Sequence, residues 1–398
     1  HDGSASYSAL TTIGESPLNP DVLYTGSDDG QVHVTRDGGA DWTNVTDRIP
    51  DLPPTTYVSR VVASHHAQGR VYATFDGHSN DDYRPYVYVS EDYGQRWRAL
   101  ARGLPEETSV NIIQEHPRNP RLLFVGHEKG VHLSIDGGAT WASLNSNMPS
   151  VPVDDLIIHP RDNDLIVGTH GRSIWILDDI GPLEALTSEV LAAREYLLPV
   201  PTARLLHTYD PEVWFGNGQF LAPNPEFGAG ITYYLGESSH GDVEVVISDA
   251  GGKVIRTLEG PGERGLNRVF WDLRMEPAYE PGAFLYALDP GPRGPNVLPG
   301  SYRVAVNVPR GAAVNGEESA TGLAQLTGQI TVEADPLIHV SDADRQARQA
   351  AQLDLHELLK TLDAAQKVVN PLSDQIEGLK KQLAEEAGRE GEAASEEI

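Results

Sequence analysis

Apolar and polar residues alternate along Val32 to Thr35, Val87 to Ser90 and Val131 to Ser134, so each stretch reads as a short strand with one buried face. Each strand runs straight into the same box, Ser/Thr-x-Asp-x-Gly-x-x-Trp. Its copies are Thr35, Asp37, Gly39, Trp42; Ser90, Asp92, Gly94, Trp97; and Ser134, Asp136, Gly138, Trp141. The tryptophans lie 55 and 44 residues apart, close to the length of a four-stranded propeller blade. Upstream of the strands, Glu15-Ser-Pro-Leu-Asn-Pro20 and Glu115-His-Pro-Arg-Asn-Pro120 each precede a second strand, and their prolines preset a hairpin corner. A degenerate copy runs Ile158-His-Pro-Arg161, Leu165 to Gly168 and Ser173 to Leu177, with Asp178 and Asp179 where the box belongs. The pattern predicts a mainly β fold: a partial β-propeller of about four blades over residues 1–190.

Two further regions follow. Residues 196–336 alternate β-rich runs (Ile231 to Leu235, Val243 to Ser248, Val254 to Leu258, Asn267 to Leu273, Tyr302 to Val308) with Gly and Pro turns. That pattern predicts an immunoglobulin-like β-sandwich, with residues 279–299 as a long inserted loop. From Ser341, an N-cap ahead of Asp342 and Asp344, the apolar residues recur at helical spacing through Leu355, Leu359, Leu362, Val369, Ile376, Leu379 and Leu383. This C-terminal α-helical segment, 341–386, is expected to break at Asn370-Pro371 into two helices or one kinked coil. The Glu- and Ala-rich tail, 387–398, reads as disordered.

Charge narrows the function. Fifty-eight acidic against thirty basic side chains give a formal charge of −28, which repels phosphate backbones, so nucleic acid is not an expected partner. No apolar run approaches the length of a membrane span. With no cysteine there is no disulfide, thiolate metal site or cysteine nucleophile. The chain opens at His1 without a leader, which suggests a removed signal peptide or a piece of a longer protein.

In the box itself a short acidic side chain can accept backbone N–H groups, the glycine can take a positive φ, and the tryptophan can pack on the blade. Repetition in successive blades favours scaffolding over catalysis for Asp37, Asp92 and Asp136, and predicts equivalent buried sites for Trp42, Trp97 and Trp141. On these residues the chain resembles the BNR/Asp-box repeat proteins, and within them the C-terminal blades of the bacterial sortilin-like type. The phrase Gly168-Thr-His-Gly-Arg-Ser-Ile-Trp-Ile-Leu-Asp-Asp179 is characteristic. The resemblance implies a periplasmic or secreted protein with further blades upstream, or a partner chain in their place. Trp271-Asp-Leu-Arg274 and Leu298-Pro-Gly-Ser-Tyr302 resemble the small sandwich of the flagellar-hook-capping and secretion-tail type.

Two features break the repeat. Asp76, Asp81 and Asp82, with Asn80, form an acidic insertion that could offer oxygen ligands to calcium; otherwise no cofactor is expected. His170 and Arg172 place a cation beside an imidazole in an inter-strand loop, near one mouth of the channel, whereas Asp178 and Asp179 follow the next strand and fall at its other end. Arg172 could orient a carboxylate or sugar acid, with His170 adding charge below about pH 6.5. The competing reading pairs Arg172 with a neighbouring blade's carboxylate and makes His170 a turn cap. Hydrolysis of polysaccharide would need two facing carboxylates. No Arg-Ile-Pro phrase of the kind that sialidases of this fold share opens the chain, its one copy, Arg48-Ile49-Pro50, standing after the first box, and no G-x-S-x-G elbow occurs. The sequence therefore points to an extracytoplasmic binding or scaffold module for a peptide or glycan, with a glycoside hydrolase as the alternative.

Overall fold

A computed structural model describes residues 8–206, 218, 224–279, 293–310 and 322–396, with side chains in the last helix described to residue 384. The chain divides into two compact units, His1–Ala193 and Arg194–Ile398.

Unit 1 is four antiparallel sheets in chain order. Blade 1 holds β1 (Leu10–Glu15), β2 (Leu23–Ser27), β3 (Val32–Thr35) and β4 (Thr43–Asn44). Blade 2 holds β5 (Tyr57–Ala63), β6 (Val71–Gly77), β7 (Asp82–Ser90) and β8 (Arg98–Ala99). Blade 3 holds β9 (Val110–Glu115), β10 (Leu123–His127), β11 (Gly130–Ser134) and β12 (Ala142–Ser143). Blade 4 has three strands, β13 (Val153–Ile158), β14 (Leu165–Thr169) and β15 (Ile174–Leu177), and leads into the short helices α1 (Gly181–Ala185) and α2 (Ser188–Ala192).

Each β-strand sends alternate residues to opposite faces, so a blade between two others must be apolar on both. Blade 2 meets this demand. Val61, Ala73, Phe75 and Trp97 pack with Tyr24, Val32, Val34 and Val45 of blade 1. From its other face, Tyr72, Val87, Val89 and Leu100 pack with Val110, Ile113, Leu123 and Val125 of blade 3. Phe124 and Val131 continue the pattern against Val153, Leu156 and Val167 of blade 4.

In unit 2, β16 (Glu195–Leu197), β17 (Ala203–Leu205), β18 (Ala229–Leu235), β19 (Val243–Ser248), β20 (Val254–Gly260), β21 (Gly265–Trp271), β22 (Gly300–Pro309) and β23 (Leu323–Ala334) form two sheets, ordered β16-β18-β21 and β17-β23-β22-β19-β20. Their facing residues share one core around Ile231, Tyr233, Trp271, Val245, Val306 and Ile330, which makes a two-layer β-sandwich. Only β17 and β23 run parallel among its pairs of described strands. Most of the expected inserted loop lies outside the described residues; at its edges Arg274 bridges Asn296.

Of the two forms expected at Asn370-Pro371, the last element is a single helix and not two. One helix, α3, runs from Asp342 to Glu396 with Pro371 inside it, and it takes in most of the tail expected to be disordered. Proline costs a helix an N–H donor, but residue 371 is exposed, where water can replace the missing bond. Glu and Ala, read as markers of disorder, are themselves good helix formers. The Ser341 hydroxyl caps the start, accepting the Asp344 amide at 3.1 Å.

Candidate functional site

The inner strands β1, β5, β9 and β13 share one irregularity. Opposite their partner strands the register slips by one residue, at Thr11, Ser59, Asn111 and Asp154. A β-bulge leaves its extra residue unpaired and re-aims its side chain. In three blades that side chain crosses to the next blade's backbone. Thr11 Oγ1 donates to the Val58 carbonyl at 2.7 Å, Ser59 Oγ to Val110 at 2.9 Å, and Asn111 Nδ2 to Val153 at 3.1 Å. The three receiving residues occupy one repeat position, just before the bulge of the next strand.

Blade 4 breaks the series. Its bulge residue is Asp154, and an ionised carboxylate has no hydrogen to donate. Asp154 Oδ2 instead lies 3.2 Å from His170 Nδ1, in the loop between β14 and β15. The next residue, Asp155, takes a 2.9 Å salt bridge from Arg60 Nη2 of β5, so the inner strands of blades 2 and 4 meet through side chains. Gly171 at φ +77° and Ser173 at φ +70° turn the loop back tightly, while the Arg172 carbonyl accepts the Trp175 indole N–H at 3.0 Å. The Arg172 guanidinium is exposed and makes no ion pair among the described residues. The site is thus Arg60, Asp154, Asp155, His170 and Arg172, two carboxylates with two guanidiniums and an imidazole. Asp179 belongs to the far end of the blade, where its amide donates to Asp164 Oδ1 at 2.9 Å.

The boxes lie elsewhere and share one internal geometry. The hydroxyls of Thr35, Ser90 and Ser134 donate to Asp37, Asp92 and Asp136 at 2.7, 3.0 and 2.7 Å, and accept the amides of Gly39, Gly94 and Gly138 at 3.0, 2.8 and 2.8 Å. All three glycines have positive φ. Backbone N–H groups, led by that of Asp41, hold Asp37 below the usual carboxylate range, and the Arg96 side chain does the same for Asp92. For Asp136, burial pushes upward, but the Thr140 hydroxyl and amide outweigh it. Such carboxylates are locked acceptors at neutral pH.

The tryptophans are not equivalent. Trp97 is 8% exposed and Trp141 half-buried, while Trp42 is 42% exposed. Trp97 and Trp141 each pack on the preceding blade, whereas no blade stands against Trp42 in this way among the described residues.

The acidic insertion does not collect its carboxylates. Asp76 receives the amide of His78 at 2.9 Å and pairs with that ring through Nδ1. Asp82 is held by Arg84 at 2.7 Å and by the Tyr86 hydroxyl at 2.6 Å, with Arg84 first in lowering its pKa far below the usual range. Asp81 is exposed, at φ +57°. Among the described residues no three His, Asp or Glu side chains gather as a metal site.

No family model matches the chain, and no curated protein matches it. Solved structures similar to it include the GH74 xyloglucanase from Xanthomonas campestris, 16% identical over 43% of this chain and 28% of that one, with a TM-score of 0.35. A GH74 enzyme from Niastella koreensis is 14% identical over 67% of this chain and 30% of its own, at a TM-score of 0.34. YCF48 bound to D1 peptide is 12% identical over 64% and 69%, at 0.32. The chain spans about three tenths of the length of the two GH74 structures. No helix among the described residues is long and apolar enough to cross a membrane.

Sequence reasoning reached His170 and Arg172 but missed Arg60, Asp154 and Asp155. A signal was present. Aligning the copies on Pro17, Pro117 and Pro160 puts Thr11, Asn111 and Asp154 in one column, where an acid replaces hydrogen-bond donors.

Proposed function

We propose that the chain is an extracytoplasmic binding or scaffold module whose blades take a peptide or glycan ligand at the Asp154 end of the inner strands. The observation that carries this reading is Arg172: a solvent-facing guanidinium without an ionic partner among the described residues, fixed in a tight loop beside the one bulge that does not staple a further blade. A planar guanidinium presents paired N–H donors, which suits a ligand carboxylate or uronic acid, while Asp154 and Asp155 can accept from hydroxyls or backbone amides. Hydrolysis would ask for a carboxyl group held protonated as general acid. Asp37, Asp82, Asp92, Asp136 and Glu184, held below the usual carboxylate range, do not suit that role.

A glycan array and a peptide pull-down with the full chain test the proposal. Binding that falls at least tenfold in both Arg172→Ala and Arg172→Lys, with the fold intact, supports it. Equal affinity in parent and both variants removes this site, and release of reducing sugar from a bound polysaccharide replaces binding with hydrolysis.

A further inference from the structure

Three contacts recur at the boundaries between blades in unit 1, two at every boundary and the third at the two whose later blade carries a box. First, the inner strand buries two apolar positions against the blade before it: Val58 and Val61, Val110 and Ile113, Val153 and Leu156, none more than 2% exposed. Second, the bulge residue of the earlier blade hydrogen-bonds the carbonyl of Val58, Val110 or Val153. Third, where the later blade carries a box, that box rests on the residue after the earlier blade's fourth strand. A Cβ on Gly94 would stand 3.0 Å from Val45, one on Gly138 would stand 2.9 Å from Leu100, and the Trp141 indole donates to the Leu100 carbonyl at 2.8 Å.

Blade 1 carries the receiving half of all three contacts with nothing against it among the described residues. Leu10 and Ile13, the counterparts of Val58 and Val61, are 68% and 66% exposed. A Cβ on Gly39 would meet no atom within 4 Å other than the Trp42 indole. An exposed face of this kind, repeating the pattern of three buried ones, marks an interaction surface.

We propose that this face binds a further complete blade of the same repeat. The three internal boundaries specify what it must present: two aliphatic side chains on its third strand, as at Val87 and Val89; an aliphatic residue after its fourth strand, as at Val45 or Leu100; and a hydroxyl or amide at its inner bulge. Blade 4 of a second copy supplies only the first, in Ile174 and Ile176. It has no fourth strand, and its bulge residue, Asp154, is a carboxylate that would oppose the Leu10 carbonyl rather than donate to it.

The test is a fusion in which residues 58–109, the chain's own second blade, are duplicated directly before Leu10, compared with the unmodified chain by amide hydrogen exchange. Exchange across Leu10–Glu15 is expected to slow at least tenfold and the thermal midpoint of unit 1 to rise. Lysines at both Val87 and Val89 of the duplicate should cancel the two effects. Unchanged exchange at Leu10–Glu15, or a duplicate that stays unprotected beside this face, overturns the proposal. Light scattering of the unmodified chain provides the second readout, with a monomer expected. A dimer that Ile13→Lys dissolves would overturn the proposal in favour of a second copy.

Discussion

The Tyr72 hydroxyl of blade 2 donates to Glu115 Oε1 of blade 3 at 2.9 Å, across the boundary between the two blades. Glu115 is fully buried and also accepts from Ser64 Oγ at 2.7 Å and the His65 amide at 2.9 Å, with Arg70 at 3.4 Å. A buried carboxylate persists only when its oxygens are so satisfied. Glu115→Ala strands two buried hydroxyls and an amide at once and should cost on the order of 2–4 kcal/mol. Urea unfolding checks it, with Glu115→Gln expected to fall between parent and Ala.

The bulge staples give a graded comparison. Asn111→Ala and Ser59→Ala each remove one bond to the next blade and should each lower stability by about 1 kcal/mol. Asp154→Ala removes no bond between blades and should leave the free energy of urea unfolding within about 0.5 kcal/mol of the parent. Equal losses at all three positions would show that the staples carry no weight.

Trp97 and Trp42 hold the same place in the repeat and should respond very differently. Trp97→Ala opens a cavity against Val45 and leaves the Gly94 carbonyl without its 3.0 Å donor, an expected loss of about 3–5 kcal/mol. Trp42→Ala, at a residue already 42% exposed, should cost less than about 1.5 kcal/mol. Thermal midpoints of the two variants settle the contrast.

His127 makes blade 3 sensitive to acid. Its Nδ1 accepts the Lys129 amide at 3.1 Å and its Nε2 faces His132 Nδ1 at 2.6 Å, so the neutral ring is held by bonds that a second proton would break. Burial first, and then His132, depress its pKa to about 4. The unfolded chain therefore takes up a proton near pH 6.5 that the folded chain refuses until about pH 4. The stability this group contributes is complete above pH 6.5 and is lost as pH falls towards 4, with a ceiling of about 3 kcal/mol. Urea titrations between pH 7 and 4 should show this slope, and His127→Gln should flatten it.

Legibility in the sequence followed how local each determinant is. The blades could be read because Thr35-x-Asp37-x-Gly39 and its copies close their bonds within a few residues. Five strands of the sandwich were legible from their own β-rich runs, whereas β16 and β17, three residues each, and β23, whose run from Leu323 to Ala334 carries polar and glycine residues and pairs with β22 over ten positions, were not. The exposure of Trp42 was not legible, because it depends on what stands beside blade 1 and not on the box. Arg60 and Asp155 lie 95 residues apart and become partners only once the blades stack.

The staples from Thr11, Ser59 and Asn111 also have a direction: each blade gives to the one after it and receives from the one before. A stretch of chain running from one bulge to the next therefore contains one donor and one acceptor in fixed order. Gene duplication of such a stretch would insert a joint already matched on both sides, so blade number can change by whole units without any new boundary having to evolve. A duplication that ended with blade 4 would copy Asp154 as well, and would first have to replace that acid with a donor.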